Sequence, residues 1–101
     1  MRLTAIQIDA IKTAAHDVLG EGAQVSLFGS RVDTTRRGGD IDIYITGTNL
    51  SMDAQLDAKL DLLFKLKQAL GEQRIDIVFE PAPGQEPVPI QRMAAQTALP
   101  L

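Results

Sequence analysis

The sequence contains no cysteine in its 101 residues. This absence excludes a disulfide framework and any thiolate metal site, and it fits a reducing compartment such as the cytoplasm. The only histidine is His16, on the polar face of a predicted helix. Because an isolated polar-face histidine is more often solvated than bound to a metal, we assign His16 no role. A metal site in this chain would therefore use oxygen ligands.

Long apolar runs are also missing. No stretch is long enough to cross a membrane, and the amino terminus lacks the apolar core and cleavage site of a signal peptide. The net charge of -3, with a pI near 4.9, argues against a general polyanion binder. We therefore expect no membrane association and no direct binding of nucleic acid, and any basic site must be local.

The composition that remains is that of one ordinary folded domain. Hydrophobic residues make up 45% of the chain and charged residues 23%, and low-complexity runs are absent. This length suits a modest single core, so we expect residues 1–101 to form one domain.

The spacing of apolar residues predicts six elements. Thr4 and Gln7 have the spacing of a capping box, and Ser51 is a helix cap. The order is helix, strand, strand, helix, strand, helix, which predicts an α+β fold with a small mixed β-sheet covered by helices. The helices are predicted over 5–19, 52–70 and 90–98, and the strands over 24–28, 40–46 and 74–79.

The apolar arc of the second helix is unusually broad. Its stripe includes Leu56, Leu60, Leu63 and Leu70, and Leu62, Leu66 and Ala69 widen it. We favour a helix packed between the sheet and another element of the same chain, and the alternative is a surface for a partner protein. In the closing helix, Ile90, Met93 and Ala94 are predicted to face inward.

The sequence is organised around residues 29–45, GSRVDTTRRGGDIDIYI. Alternation along a strand places Asp40 and Asp42 on one face, opposite a row of three isoleucines. The stretch RIDIVF repeats this pattern, so pairing of the two strands brings Asp76 close to the other carboxylates. Three carboxylates on one face can hold two divalent ions, and oxygen ligands favour Mg²⁺.

The residues around these carboxylates suit a phosphate group. Gly29 allows close backbone approach, and the Ser30 hydroxyl with neighbouring N–H groups can hold phosphate oxygens. Arg31, Arg36 and Arg37 add local positive charge, and Gly39 belongs with Gly29, Ser30 and Arg31 in the predicted nucleotide-binding set. Each feature alone is commonly structural, but their joint order and strand context are much harder to obtain by accident.

Two familiar motifs do not fit. An EF-hand fails because Tyr44 and Ile45 replace a ligand and the required glycine. A P-loop fails because Gly29-Ser30 is not followed by the Walker lysine pattern.

The combination of GSRVDTTRRGGDIDIYI with RIDIVF resembles the nucleotidyltransferase signature of the DNA polymerase β superfamily. More closely, the chain resembles the minimal nucleotidyltransferases that act as antitoxins beside HEPN-domain toxins. The resemblance implies a polymerase β-like nucleotidyltransferase fold. It further implies that Gly29 and Ser30 form the triphosphate-binding turn, that Asp40 and Asp42 bind both metals, and that Asp76 is the third carboxylate, which assists deprotonation.

The function implied is magnesium-dependent transfer of a nucleotidyl group to a hydroxyl of a HEPN toxin. We favour ATP as the donor and AMP as the transferred group. The broad apolar arc over residues 56–70 would give such a partner a place to dock. An alternative from a different class is an antitoxin with a residual site, which neutralises the toxin by binding alone. Intact carboxylates favour the enzyme.

Overall fold

A computed structural model describes residues 3–29, 40–71 and 73–101. Within these ranges the elements are α1 (Ala5–Leu19), β1 (Gln24–Leu27), β2 (Asp40–Thr46), α2 (Met52–Leu70), β3 (Arg74–Phe79), α3 (Pro89–Thr97) and β4 (Leu99–Pro100). The four strands form one mixed sheet in the order β3-β2-β1-β4. β1 pairs antiparallel with β2 and with β4, and β2 pairs parallel with β3.

The predicted starts of α1 and α2 are confirmed. The Thr4 hydroxyl accepts from the Gln7 N–H at 3.1 Å, and the Gln7 side chain accepts from the Thr4 N–H at 2.9 Å. The Ser51 hydroxyl accepts from the Ala54 N–H at 3.3 Å. These bonds satisfy N–H groups that have no partner within a helix, so α1 and α2 begin directly after their capping residues.

One face of the sheet forms the main hydrophobic core beneath α1 and α2. Alternation along β2 sends Ile41, Ile43 and Ile45 into it, and all three are fully buried. Inner residues of β1, β3, α1 and α2 complete this core. They are Val25, Leu27, Ile75, Ile77, Phe79, Ile11, Ala14, Ala15, Leu62 and Leu66. A row of β-branched side chains over this core fixes the register of β2 against its neighbours.

The helix α3 covers part of the opposite face of the sheet. Phe28, Tyr44 and Ala94 are buried together there, and the rings of Phe28 and Tyr44 meet edge to face at 6.5 Å. The start of α3 is tied to the sheet because the Gln91 side-chain amide donates to the Phe79 carbonyl at 3.0 Å. We call the part of this face that α3 does not cover, at the starts of β2 and β3, the outer face.

The structure corrects several sequence-based predictions. Leu56 and Leu60 of α2 were expected in the apolar contact, but each is 58% exposed, and Leu62 and Leu66 are buried instead. In α3 only Ala94 faces inward, whereas Ile90 and Met93 are exposed. The apolar arc of α2 is broad and the helix α3 is short, so the spacing of apolar residues does not specify which of them pack against the sheet.

Smaller differences concern the end of the chain. α3 begins at Pro89, which suits the first helical position because its missing N–H would be unpaired there anyway. The two-residue strand β4 was not predicted; it pairs with Ser26 and Leu27 and includes a proline. Within the described residues, no helix has the length and apolar character needed to cross a membrane.

Candidate functional site

Two of the predicted site carboxylates are direct neighbours across the sheet. In the parallel ladder between β2 and β3, Asp42 is the partner of Asp76. Neighbouring strands lie about 4.8 Å apart, and alternation places both side chains on the outer face. Asp42 is half-buried and Asp76 is exposed. The site therefore has an inner carboxylate and an outer one that a second molecule can reach.

Gly29 lies against the inner carboxylate. Its φ of +70° belongs to the left-handed region that glycine adopts without steric cost. A Cβ built on Gly29 would lie 3.0 Å from the Asp42 Oδ2 atom, too close for an ordinary contact. Glycine is therefore favoured here for two reasons, the backbone conformation and the approach of the Asp42 side chain.

Hydrogen bonds from two directions hold the Gly29 turn. The Phe28 N–H donates to the Asp42 carbonyl at 3.0 Å, which continues the pairing of β1 with β2 up to the turn. The Gly29 N–H donates to the Thr97 hydroxyl at 3.3 Å, and that hydroxyl donates to the Met93 carbonyl at 2.9 Å. The end of α3 thus positions the backbone beside Asp42.

Thr97 was missed by sequence reasoning. It lies 68 positions from Gly29 in sequence, and no motif connects the two residues. Arg74 was missed as well: it is the register partner of Asp40 and is exposed on the outer face. The signal for Arg74 was available, because aligning RIDIVF with DIDIYI sets Arg74 opposite Asp40 as soon as Asp76 is set opposite Asp42.

Tyr44 closes the covered side of this face. Burial, and to a lesser extent the negative charge of Glu80, raise the pKa of the Tyr44 hydroxyl above its ordinary value. Tyr44 therefore stays neutral at physiological pH and marks the boundary between the apolar contact of α3 and the carboxylates of the outer face.

Part of the predicted site lies outside the described residues. Ser30, Arg31 and Gly39 belong to that part, as do Arg36 and Arg37, and of Asp40 the backbone alone is described. Among the described side chains, no group of three or more histidine, cysteine, aspartate or glutamate residues could hold a metal ion. Asp42 and Asp76 thus supply two carboxylates of the predicted set, and the complete set stays a prediction.

No protein-family model matches this chain, and no curated protein matches it either. The interpretation of the site therefore depends on its own geometry and on the sequence signature.

Proposed function

We propose that this protein is a magnesium-dependent nucleotidyltransferase that transfers a nucleotidyl group to a hydroxyl of a HEPN-domain toxin. It would thereby act as an antitoxin in the cytoplasm. The favoured donor is ATP, and the transferred group is then AMP. The polymerase β-like nucleotidyltransferase fold is part of this proposal. The observation that carries it is the pairing of Asp42 with Asp76 beside the positive-φ Gly29.

The donor set fits Mg²⁺. Asp42 and Asp76 present carboxylate oxygens from neighbouring strands, and hard divalent ions prefer such ligands. A Cβ at position 29 would crowd the Asp42 carboxylate, and glycine avoids this contact. Asp40, Asp42 and Asp76 would hold two Mg²⁺ ions, whose charge would offset the negative charge that develops on the transferred phosphoryl group.

The chain's own residues have separate roles in this proposal. Gly29 lets the triphosphate approach the backbone, and Ser30 donates its hydroxyl to a phosphate oxygen. Arg31 and Gly39 complete the nucleotide-binding set. Asp76, being exposed, can reach the attacking hydroxyl of an acceptor and take its proton.

The reaction balances without a covalent enzyme intermediate. The acceptor oxygen forms a bond to the α-phosphorus while the bond from that phosphorus to the bridging oxygen breaks. Pyrophosphate leaves with the electron pair, and Asp76 takes the hydroxyl proton. Positioning dominates, because the reacting oxygen must lie within about 3–3.5 Å of the phosphorus.

The acceptor is expected to be a protein. The acidic net charge disfavours nucleic acid as the acceptor. The HEPN toxin itself comes from the sequence resemblance. A nucleotidyl group near a ribonuclease centre would add bulk and negative charge where RNA phosphates must bind, which explains how transfer would silence the toxin.

The experiment mixes the chain with its cognate toxin, magnesium and ATP, and records intact masses. We expect the toxin to gain nucleotidyl units with the wild-type chain and none with Asp40→Ala plus Asp42→Ala. A matched control, Asp9→Ala on the exposed face of α1, should transfer as well as wild type.

Two results would contradict this proposal. A toxin that stays unmodified, yet is neutralised equally by the wild type and the double variant, would show an antitoxin that acts by binding alone. Equal modification by both chains would show that these aspartates are not catalytic.

A further inference from the structure

The helix α2 carries an exposed apolar stripe. Met52, Leu56, Leu60 and Phe64 follow one another at intervals of four residues, which places them along one side of a helix. Their exposed fractions are 57%, 58%, 58% and 64%. Four large apolar side chains in a row, each more than half exposed, form a surface of the kind that another protein covers.

The strand beside this stripe is an edge strand. β3 is at one end of the sheet order, so alternate backbone groups of β3 point away from β2. The Glu80 N–H donates to Ile45 on β2, so the backbone groups of Ile77 and Ile75 point outward. The Phe79 carbonyl points outward as well, and it already accepts from the Gln91 side chain. A groove of about 400 Å³ runs along this edge between α2 and the start of α3, and Leu56, Ile77 and Ile90 are among its lining residues.

Two hydrogen bonds fix how α2 and β3 lie relative to each other. The Gln55 side-chain amide donates to the Glu80 carbonyl at 3.0 Å, and the Lys67 ammonium donates to the Gln73 carbonyl at 2.7 Å. The two elements therefore run antiparallel. Between these two contacts, the rises per residue of a helix and a strand put Leu60 of α2 near the level of Ile77 of β3.

We propose that this edge and the α2 stripe together form the interface of a homodimer. The β3 strands of two copies pair antiparallel about a two-fold axis that passes through Ile77 and Leu60. Pairing at the usual strand spacing of about 4.8 Å brings the two α2 helices side by side on the same face of a continuous sheet. Leu56 then meets Phe64 of the second copy, and Leu60 meets its own counterpart.

Charge complementarity selects a second copy as the occupant. The axis at Leu60 sets Asp53 level with Lys67 of the second copy, and both side chains are exposed. The same axis at Ile77 sets Arg74 opposite Glu80 of the second copy. Opposite charges therefore meet between the two helices. Arg74 likewise meets Glu80, the residue after β3, whose carboxylate also accepts from the Gly47 N–H of its own chain.

The arrangement has one cost with a measurable consequence. Asp76 lies diagonal to its counterpart across the new strand pair, at about 7–8 Å, and like charges at this spacing repel. We therefore expect Asp76→Asn to tighten the dimer in the absence of metal.

Sedimentation equilibrium of the chain alone, over a wide range of concentration, tests the dimer. We expect a mass of two chains, and we expect Leu60→Glu to raise the dissociation constant at least about thirtyfold, the effect of losing a central contact. Leu60 is exposed, so this variant should fold. The matched control is Ile6→Glu on α1, where the side chain is 82% exposed and away from the stripe.

Charge reversal tests the antiparallel alignment. Asp53→Lys alone places like charges opposite each other and should weaken the dimer. Lys67→Asp does the same and also removes the bond from Lys67 to the Gln73 carbonyl. The double reversal should bind more tightly than either single variant. A chain that is monomeric at every concentration would overturn the proposal, even if another protein then covers the stripe. A double reversal no better than either single one would overturn this alignment. Neither ATP nor a toxin enters these measurements, so their outcome is independent of nucleotidyl transfer.

Discussion

The two faces of the sheet are built from alternate residues of the same strands, but they differ in what they tolerate. The face beneath α1 and α2 buries Ile41, Ile43 and Ile45 completely. The outer face holds Asp42 and Asp76, one half-buried and one exposed. The first face supplies the burial that stabilises the fold, and it holds the backbone of the second face rigid. Charged groups on the outer face can therefore be kept close together, because the stability of the fold does not depend on them.

The largest expected effect tests this division of roles. Ile43→Ala should lower the free energy of unfolding by about 2–5 kcal/mol, because it leaves a cavity in the core. Asp76→Asn, on the next strand but the opposite face, should change it by no more than about 0.5 kcal/mol. Urea denaturation measures both. If Ile43→Ala does not fold, Ile43→Val should cost about 0.5–1.5 kcal/mol. Equal losses in the free energy of unfolding for Ile43→Ala and Asp76→Asn would contradict this division of roles between the two faces.

A smaller effect is expected where the turn after β1 meets the outer face. Gly29→Ala combines a strained positive φ, at about 1–2 kcal/mol, with the contact to the Asp42 carboxylate. Gly84→Ala is a matched control, because Gly84 has a φ of +81° and nothing within 4 Å of its added Cβ. The extra loss of stability in Gly29→Ala measures the contact with Asp42. Equal losses would show that the Asp42 side chain yields freely.

The smallest expected effect is on pH dependence at the boundary of the two regions. Burial first, and then the charge of Glu80, raise the pKa of Tyr44 above its ordinary value of about 10. The protonated hydroxyl is favoured in the folded state, so its contribution to stability is present below about pH 10 and is lost as pH rises through the raised pKa.

Two measurements check this expectation. Tyr44 is the only tyrosine, so its ultraviolet absorbance reports this group alone. Urea denaturation from about pH 8 to about pH 11 should show a steeper loss of stability in the wild type than in Tyr44→Phe. Parallel curves would mean that the hydroxyl titrates alike in the folded and unfolded chain.

Much of the fold could be predicted because its local signals agree. The helices 5–19 and 52–70 and the strands 40–46 and 74–79 have the predicted bounds, since caps and apolar spacing act over a few residues. The neighbourhood of Asp42 and Asp76 was predictable for the same reason, as two similar strands set their own register.

What could not be predicted depends on tertiary contacts. The periodicity of α2 did not show that Leu62 and Leu66 face the core and that Leu56 and Leu60 face outward, because the whole arc is apolar. β4 is too short to show a period, and the bond from Gly29 to Thr97 joins residues that no local pattern relates.

If the outer face binds a magnesium nucleotide, as we propose, isothermal titration calorimetry should detect the binding. Each ribonucleoside triphosphate with Mg²⁺ is titrated into the wild type, Asp42→Asn and the matched control Asp9→Asn. We expect binding of at least one nucleotide by the wild type and equal binding by Asp9→Asn. Binding by folded Asp42→Asn should be at least about a hundredfold weaker, since losing even an outer partner of a metal ligand costs about 10–100-fold. Undiminished binding by Asp42→Asn, or no binding of any nucleotide by the wild type, would contradict a magnesium-nucleotide site on the outer face.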